Sequence, residues 1–276
     1  MDPSELQFLR NIAKEIRKRT IDSIGRLGVG HIGGALSVVE VLTVLYYRHM
    51  RVWPDQPRHP ERDRLVLSKG HAGPALYSVL AMKGFFPEDW LHTLNRGGTR
   101  LPSHADRNRT PGIDMSTGSL GQGLSAAIGM ALAARLDNAS HTIYAIIGDG
   151  ESDEGQVWEA AMAAAHFKLN RLIAFTDANK MQIDGYVRDI MNVEDLPAKW
   201  QAFGWFTQRV DGHDIAALDQ AIIAARGEPS RPSMIIMDTI KGKGAHFAEG
   251  RLDNHNMAFD YATALEAIRR LDEQTD

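Results

Sequence analysis

Four short apolar runs most constrain the fold of this chain. They read "RLVLS" at 64–68, "TIYAIIG" at 142–148, "RLIAFTD" at 171–177 and "SMIIMDT" at 233–239. Nearly continuous apolar runs of this length are typical of strands buried on both faces of a parallel sheet. Because stretches with helical patterning separate them, the sequence predicts an α/β fold: a doubly wound parallel sheet flanked by helices, with ligands bound at the carboxyl ends of the strands.

The intervening segments predict helices and one long loop. Apolar residues at helical spacing predict a first helix over 4–26, which the glycine cluster at 28–34 ends, and a second over 36–50. Residues 96–117 are rich in Gly, Pro and Asn and predict an extended surface loop. We find no internal repeat or linker, so we expect residues 1–276 to form a single domain.

Composition excludes several classes of protein. The 276 residues are 43% hydrophobic, and 31 Lys and Arg against 35 Asp and Glu leave a net charge of −4 without a long basic block, which argues against nucleic-acid binding. Cysteine is absent, which excludes disulfides, thiolate metal sites and a cysteine nucleophile and fits a cytoplasmic protein. The amphipathic N-terminus does not resemble a signal peptide, and no run approaches the roughly 18 apolar residues of a membrane span.

Two polar residues follow neighbouring predicted strands. Asp149 lies between two glycines where the run at 142–148 ends, and Asn179 follows the next run, thirty residues later. One strand-helix-strand unit accounts for that separation, so both side chains should lie at the same edge of the sheet. Carboxylate and amide oxygens suit Mg²⁺ or Ca²⁺, which keep positions open for phosphate oxygens. A simple turn and a helix cap remain an alternative explanation for the pair taken alone.

Longer motifs carry a resemblance to a known family. "GDGESDEGQVWEA", followed by "DANKMQIDG", resembles the thiamine diphosphate-binding motif, which begins with GDG and ends in Asn about thirty residues later. "SKGHAGPALYSVL", "TGSLGQGLSAAIGMA", and "KGKG" fourteen residues before His255 match transketolases in the same order. The resemblance covers nearly the whole chain. Because a full transketolase is more than twice this length, the chain resembles the N-terminal subunit of a split transketolase.

The resemblance implies a set of cofactor and metal contacts. Mg²⁺ or Ca²⁺ would be bound by Asp149, Asn179 and the backbone carbonyl of Met181, and would bridge to the diphosphate. The N–H of Gly150 would contact the diphosphate. The remaining cofactor positions implied by the family's motifs are Lys69, Gly118, Leu120 and Lys241. Of these, Gly118 and Leu120 match residues that contact the aminopyrimidine ring.

The resemblance also implies the catalytic residues, four of which are histidines. His31 and His71 match histidines around the thiazolium ring and the diphosphate, and His255 matches one near the cofactor and the donor sugar. His104 matches a histidine that hydrogen-bonds the ketol hydroxyls of the donor. Glu154 matches an acid at the dimer interface, which is coupled to the cofactor-activating glutamate of the partner domain. Imidazole groups can both donate and accept a proton at neutral pH, as sugar chemistry requires.

The resemblance implies a reaction and a partner, and leaves alternatives open. With a C-terminal subunit that supplies the pyrimidine-binding domain, in an α2β2 heterotetramer, the chain would transfer a two-carbon ketol unit from a ketose or its phosphate to an aldose or its phosphate. Alternatives are a subunit similar to deoxyxylulose phosphate synthase or to an oxidative decarboxylase alpha chain, and a non-catalytic paralogue. A nucleotide-binding Rossmann module is disfavoured because the glycine segments lack GxGxxG spacing.

Overall fold

A five-stranded parallel sheet forms the centre of the fold in the computed structural model, which describes residues 1–183 and 185–273. In chain order, the strands of this sheet and the shorter strands outside it are β1 (Val29–Gly30), β2 (Arg64–Leu67), β3 (Ile143–Gly148), β4 (Leu172–Ala178), β5 (Met181–Gln182), β6 (Gly185–Tyr186), β7 (Phe206–Asp211), β8 (Ser233–Asp238) and β9 (Met257–Ala258). The α-helices are α1 (Pro3–Leu27), α2 (Ile32–Leu36), α3 (Val39–Val44), α4 (Gly73–Met82), α5 (Gln122–Leu136), α6 (Gly155–His166), α7 (Val187–Ile190), α8 (Leu196–Ala202), α9 (Ile215–Gly227) and α10 (Tyr261–Glu273).

The topology of the sheet confirms the predicted fold class. Its order is β2-β3-β4-β8-β7, and every neighbouring pair is parallel. In the register, Gly148 lies opposite Asp177, and Ala178 lies opposite Asp238. The carboxyl ends of β3, β4 and β8 therefore meet at one edge of the sheet, where the following loops converge.

Helices cover both faces of the sheet, which explains why its strands are nearly continuously apolar. Tyr144 and Ile146 of β3 join one buried cluster with α1 to α4, α9 and α10. The alternate residues, Ile143, Ala145 and Ile147, join a second buried cluster with α5, α6 and α8. Because successive side chains of a strand point to opposite faces, a strand between two helical layers is apolar at every position.

Helix α1 shows how the sequence sets the ends of an element. The side chain of Asp2 accepts a hydrogen bond from the N–H of Glu5 and caps the amino end. Gly28 ends the helix with φ of +88°, and its N–H donates to the carbonyl of Ile24. A side chain is disfavoured at that left-handed position, so glycine ends the helix and turns the chain into β1.

Three features differ from the predicted elements. The helix predicted over 36–50 is divided into α3 and a π-helical turn at Leu45–His49, after a break at Ser37. At this break the hydroxyl of Ser37 lies 2.7 Å from a carboxylate oxygen of Asp177, and Val38 leaves the helical conformation with φ of −112° and ψ of 12°. The edge strand β7 was not predicted, nor was the short antiparallel pairing of β1 with β9.

The segment predicted as a loop contains no helix or strand. Residues 94–121, all of which the structure describes, run from the 3-10 turn at Glu88–Thr93 to α5 without regular elements. This segment is nevertheless tied together, since the N–H of Thr117 donates to the carbonyl of Ala105. Within the described chain, none of the helices combines the length and the apolar character that crossing a membrane would require.

Candidate functional site

The predicted site residues converge at the carboxyl edge of the sheet. Lys69 and His71 follow β2, Asp149 follows β3, Asn179 follows β4, and Lys241 follows β8. His31 lies between β1 and α2, and His255 lies two residues before β9, so the pairing of these two short strands brings both histidines to the same place. The long loop 94–121 contributes His104 and Gly118.

The four predicted histidines form one cluster. The ring of His31 is central, with centroids 5.6 Å from His71, 5.4 Å from His104 and 5.3 Å from His255. The rings of His71 and His255 are 5.1 Å apart. Four imidazoles from four separate segments therefore lie side by side around His31.

Two glycines make room for these rings. A methyl group built on Gly34 would lie 2.7 Å from Cδ2 of His71, which is closer than carbon atoms pack. Gly118 adopts φ of +130°, a conformation that side chains rarely tolerate, and a methyl group there would lie 3.0 Å from Cδ2 of His104. The glycines at these positions thus have a steric role in the cluster.

The histidine cluster is neutral at pH 7. Burial, together with the nearby His104 and Lys241, lowers the pKa of His31 to about 4. Burial and Lys241 likewise lower the pKa of His255 to about 4, while burial and Lys69 hold the pKa of His71 well below its ordinary value. Burial also lowers the pKa of His104. Neutral rings each offer one N–H donor and one acceptor nitrogen.

We expect the cluster to make the protein sensitive to acid. Between pH 6.5 and about 4, His255 binds a proton in the unfolded chain but not in the folded one. Protonation therefore favours unfolding, and stability present above pH 6.5 is lost as the pH falls through this window. The loss should stay below about 1.4 kcal/mol per pH unit for this histidine, because solvent reaches part of the ring.

Urea unfolding at pH 7 and pH 5 tests this expectation. The free energy of unfolding of the unmodified protein should fall between the two pH values by more than that of His255→Gln, which retains a polar side chain but does not titrate. His59→Gln, at a half-buried histidine outside the cluster, is the control. An equal loss for all three proteins would contradict the assignment.

Asp149 is buried in a polar corner, where none of the described cationic side chains forms an ion pair with it. Its side chain is 4% exposed, and its Oδ2 accepts a hydrogen bond of 2.6 Å from the N–H of Lys180. Its Oδ1 accepts one of 2.9 Å from the N–H of Gly150. Burial, and then the carboxylate of Asp177, raise the pKa of Asp149 to about 7. The corner therefore disfavours the ionised form of Asp149, which a cation bound there would stabilise.

The residues present fit a divalent ion with oxygen ligands. Oδ1 of Asn179 lies 3.0 Å from the backbone N of Met181, so these two predicted ligands are adjacent. In the part of the chain that the structure describes, no three His, Cys, Asp or Glu side chains are grouped to hold a metal. A site of one carboxylate and neutral oxygens leaves positions for ligands from outside the protein, as Mg²⁺ and Ca²⁺ sites often do.

The sequence did not predict that Asp177 organises the site. This side chain is fully buried and accepts hydrogen bonds from Lys69, from Ser37 at 2.7 Å, from Asn179 at 3.0 Å and from Thr239. Burial alone would raise the pKa of Asp177, but Lys69 and the hydroxyl donors outweigh it and hold that pKa below its ordinary value. Lys69, which the resemblance places near the cofactor, is therefore paired with Asp177.

Removing the amine of Lys69 should destabilise the fold strongly. Lys69→Met leaves the buried carboxylate of Asp177 without its counter-charge, and breaking a buried pair in this way costs about 3–5 kcal/mol. Urea unfolding at pH 7 measures the loss. The double variant Lys69→Met, Asp177→Asn removes both charges and should recover most of it, whereas an equal loss in both variants would contradict a charge effect.

A second buried acid supports the glycine turn before α5. Glu151 accepts hydrogen bonds from the N–H groups of Gly121 at 2.9 Å and Gly148 at 3.0 Å, and from the hydroxyl of Ser68. Burial raises the pKa of Glu151. It thereby links β2, β3 and the turn that carries Gly118, a role that the motif itself does not reveal.

The remaining predicted residues lie around this centre. Leu120 is 37% exposed, and Glu154 is also exposed, at the start of α6. Nζ of the buried Lys241 lies 3.4 Å from Nδ1 of His255. Because a lysine ammonium only donates, this contact favours the tautomer of His255 that keeps its proton on Nε2. The N–H of Gly150 donates to Asp149, as described above.

Fold and site together define an α/β domain with a histidine-rich binding site at the carboxyl edge of its sheet. Residues 9–271 match the family model described as "Transketolase, thiamine diphosphate binding domain". The chain therefore belongs to the transketolase family, through the thiamine diphosphate-binding domain of that family.

Comparison with individual proteins supports the same family. The chain is 58% identical over 272 residues to the 6-deoxy-6-sulfo-D-fructose transketolase subunit SqwG of Clostridium sp. (strain MSTE9), covering 98% of this chain and 99% of that one. It is 39% identical to an apulose-4-phosphate transketolase subunit of Phocaeicola vulgatus, covering 99% and 95%. The transketolase structure of Campylobacter jejuni superposes with a TM-score of 0.88 at 29% identity, covering 99% of this chain and 47% of that one. The chain thus spans nearly the whole length of these two subunits and about half of the Campylobacter transketolase chain.

Proposed function

We propose that this chain is the N-terminal subunit of a split transketolase, which transfers a two-carbon ketol unit from a ketose donor to an aldose acceptor. The observation that carries the proposal is the cluster of four neutral histidines beside the buried carboxylate of Asp149. The carboxylate suits a cation that neutralises phosphate, and the histidines suit the hydroxyls of a sugar. We further propose that residues 1–276 act as one cofactor-binding domain in the cytoplasm.

The proposal assigns the corner at Asp149 to Mg²⁺ or Ca²⁺ and to the diphosphate of thiamine diphosphate. Asp149, Asn179 and the carbonyl of Met181 would hold the ion, and Gly150 would turn its N–H toward the phosphate. Gly118 and Leu120 would contact the aminopyrimidine ring. When bound, thiamine diphosphate supplies the nucleophilic carbon and the electron sink needed to break and form a bond beside a carbonyl group.

The protein's own groups would orient the sugar and move its protons. Nε2–H of His255 would donate to a sugar oxygen in the tautomer that the contact of Nδ1 with Lys241 favours. His31, His71 and His104, all neutral at pH 7, can each donate one hydrogen bond and accept another. A neutral imidazole that accepts a hydroxyl proton in one step and returns it in the next acts as a general base and then a general acid.

Two features support a partner subunit in this proposal. Relatives of nearly the same length are named as transketolase subunits, and this chain spans less than half of the Campylobacter transketolase. Glu154, exposed at the start of α6, would couple to the activating glutamate of a C-terminal subunit. We propose an α2β2 heterotetramer, in which each cofactor lies between the two kinds of subunit.

We propose a 6-deoxy-6-sulfo-D-fructose donor, supported by the 58% identity to a subunit named for that sugar, against 39% for the apulose-4-phosphate relative. The assay combines the chain with its partner, thiamine diphosphate, Mg²⁺ and an aldose phosphate, and compares kcat/KM for sulfofructose and fructose 6-phosphate. We expect at least about a tenfold preference for the sulfonated sugar. A preference for the phosphate would contradict the substrate but not the reaction, whereas no ketol transfer from any ketose would contradict both.

A further inference from the structure

A polar cavity lies beside the amino end of β2, and it is separate from the histidine cluster. Its volume is about 570 Å³, within the range of small-molecule pockets. Six arginines line it: Arg58, Arg62, Arg64, Arg100, Arg107 and Arg109. Asp114 is the one acid among the described residues that line the cavity. This arginine cavity, as we call it, is strongly positive in a chain whose net charge is −4.

Most of this positive charge is unpaired. Arg62 is 4% exposed and forms a buried pair with Asp114, with one contact of 3.1 Å to Oδ2. Arg109 lies 3.5 Å from a carboxylate oxygen of Asp106. The other four arginines, Arg58, Arg64, Arg100 and Arg107, form no ion pair within 4.0 Å in the described part of the chain.

Several of the guanidinium groups are held in place by neutral partners. Arg64 donates to the carbonyls of Arg62 at 3.3 Å and Pro60 at 3.4 Å. Arg100 lies over the ring of Trp90, 4.9 Å from its centroid. Burial lowers the pKa of Arg64, which means that the charged form of this guanidinium is disfavoured at its position. Like charges fixed together around a cavity repel one another, and an anion removes that cost.

The size and the geometry indicate what kind of anion would fit. Arginine forks bind phosphate oxygens in pairs, and several forks around one cavity suit several phosphate groups. A single inorganic phosphate would fill only a small part of the volume. A concave cavity favours a small molecule over an extended nucleic acid, for which the charge would be spread along a surface.

We propose that the arginine cavity binds a small anion that carries two or more phosphate groups, at a site separate from the cofactor site. None of its lining residues belongs to the histidine cluster or to the corner at Asp149. The two sites share one segment, since the loop 94–121 carries His104 as well as Arg100, Arg107 and Arg109. The inference is independent of the proposed reaction.

Calorimetric titration of the full chain with tripolyphosphate tests the proposal, in EDTA so that no metal assists the corner at Asp149. The double variant Arg58→Ala, Arg107→Ala removes two exposed, unpaired arginines and should weaken binding at least tenfold. The control Arg251→Ala, Arg269→Ala removes the same charge from exposed positions elsewhere and should bind like the unmodified protein. Inorganic phosphate should bind at least tenfold more weakly than tripolyphosphate.

Three results would overturn the proposal. The first is the absence of tripolyphosphate binding by the unmodified protein. The second is an equal loss of affinity in the cavity variant and its control, which would indicate a response to overall charge. The third is unchanged tripolyphosphate affinity in the cavity variant together with weaker association with the C-terminal subunit, which would show that the cavity binds an acidic segment of the partner instead.

Discussion

Replacing Asp149 by alanine is expected to lower the affinity for thiamine diphosphate, measured with Mg²⁺, on the order of 100-fold or more. The buried carboxylate is the only charged group among the three proposed metal ligands. Without it, the neutral oxygens of Asn179 and Met181 cannot offset the charge of the ion. Calorimetric titration of the cofactor at saturating Mg²⁺ measures the effect.

Two further variants separate the loss of charge from other causes. Asp149→Asn keeps an oxygen that can accept from the N–H of Lys180 but removes the charge, so it should lose nearly as much affinity as alanine. His104→Ala should leave cofactor affinity within about threefold while it raises KM for the donor, because this histidine is assigned to the sugar. Equal losses of cofactor affinity for His104→Ala and Asp149→Ala would contradict this division of roles.

The second large effect concerns the chain alone. With thiamine diphosphate, Mg²⁺ and both sugars present, the purified chain should show no measurable ketol transfer, a reduction on the order of 1000-fold or more relative to the complex. The reason is that the group proposed to activate the cofactor lies on the partner, to which Glu154 would couple. A continuous assay of product aldose, before and after addition of the C-terminal subunit, measures the difference.

A matched pair of samples guards against an inactive preparation. The same batch of chain must regain activity when the partner is added, and a batch carrying Glu154→Gln should regain much less. Thermal protection by the cofactor and Mg²⁺, recorded without the partner, shows that the isolated chain is correctly folded. Turnover by the chain alone would contradict the two-subunit interpretation.

The central sheet could be predicted because its strands are apolar at consecutive positions. The edge strand β7, with the sequence FTQRVD, could not, because its side chains are half-buried or exposed and it has no apolar run. The break in the predicted helix after α2 could not be predicted either. Ser37 is compatible with a helix, and its contact with Asp177 joins residues 140 positions apart in the chain.

The same distinction applies to the site. Asp149 and Asn179 could be predicted because each follows an apolar run, and Asp149 also lies between two glycines. The four histidines could be predicted because each lies in a segment that resembles the family. Asp177 lies inside a predicted strand, and its role depends on Lys69, which is 108 residues away in the chain, and on Thr239, which is 62 away. Partners at such separations leave no periodic signal that a single sequence can show.

The pairing of β1 with β9 has a consequence for biosynthesis. His31 is made early and His255 more than two hundred residues later, yet their rings lie 5.3 Å apart. A growing polypeptide on the ribosome can assemble β2, β3 and β4 and still lack one wall of the histidine cluster. The cluster is completed only after His255 has left the exit tunnel and residues 257–258 have paired with residues 29–30, so a chain that stops before residue 255 lacks one of the four imidazoles.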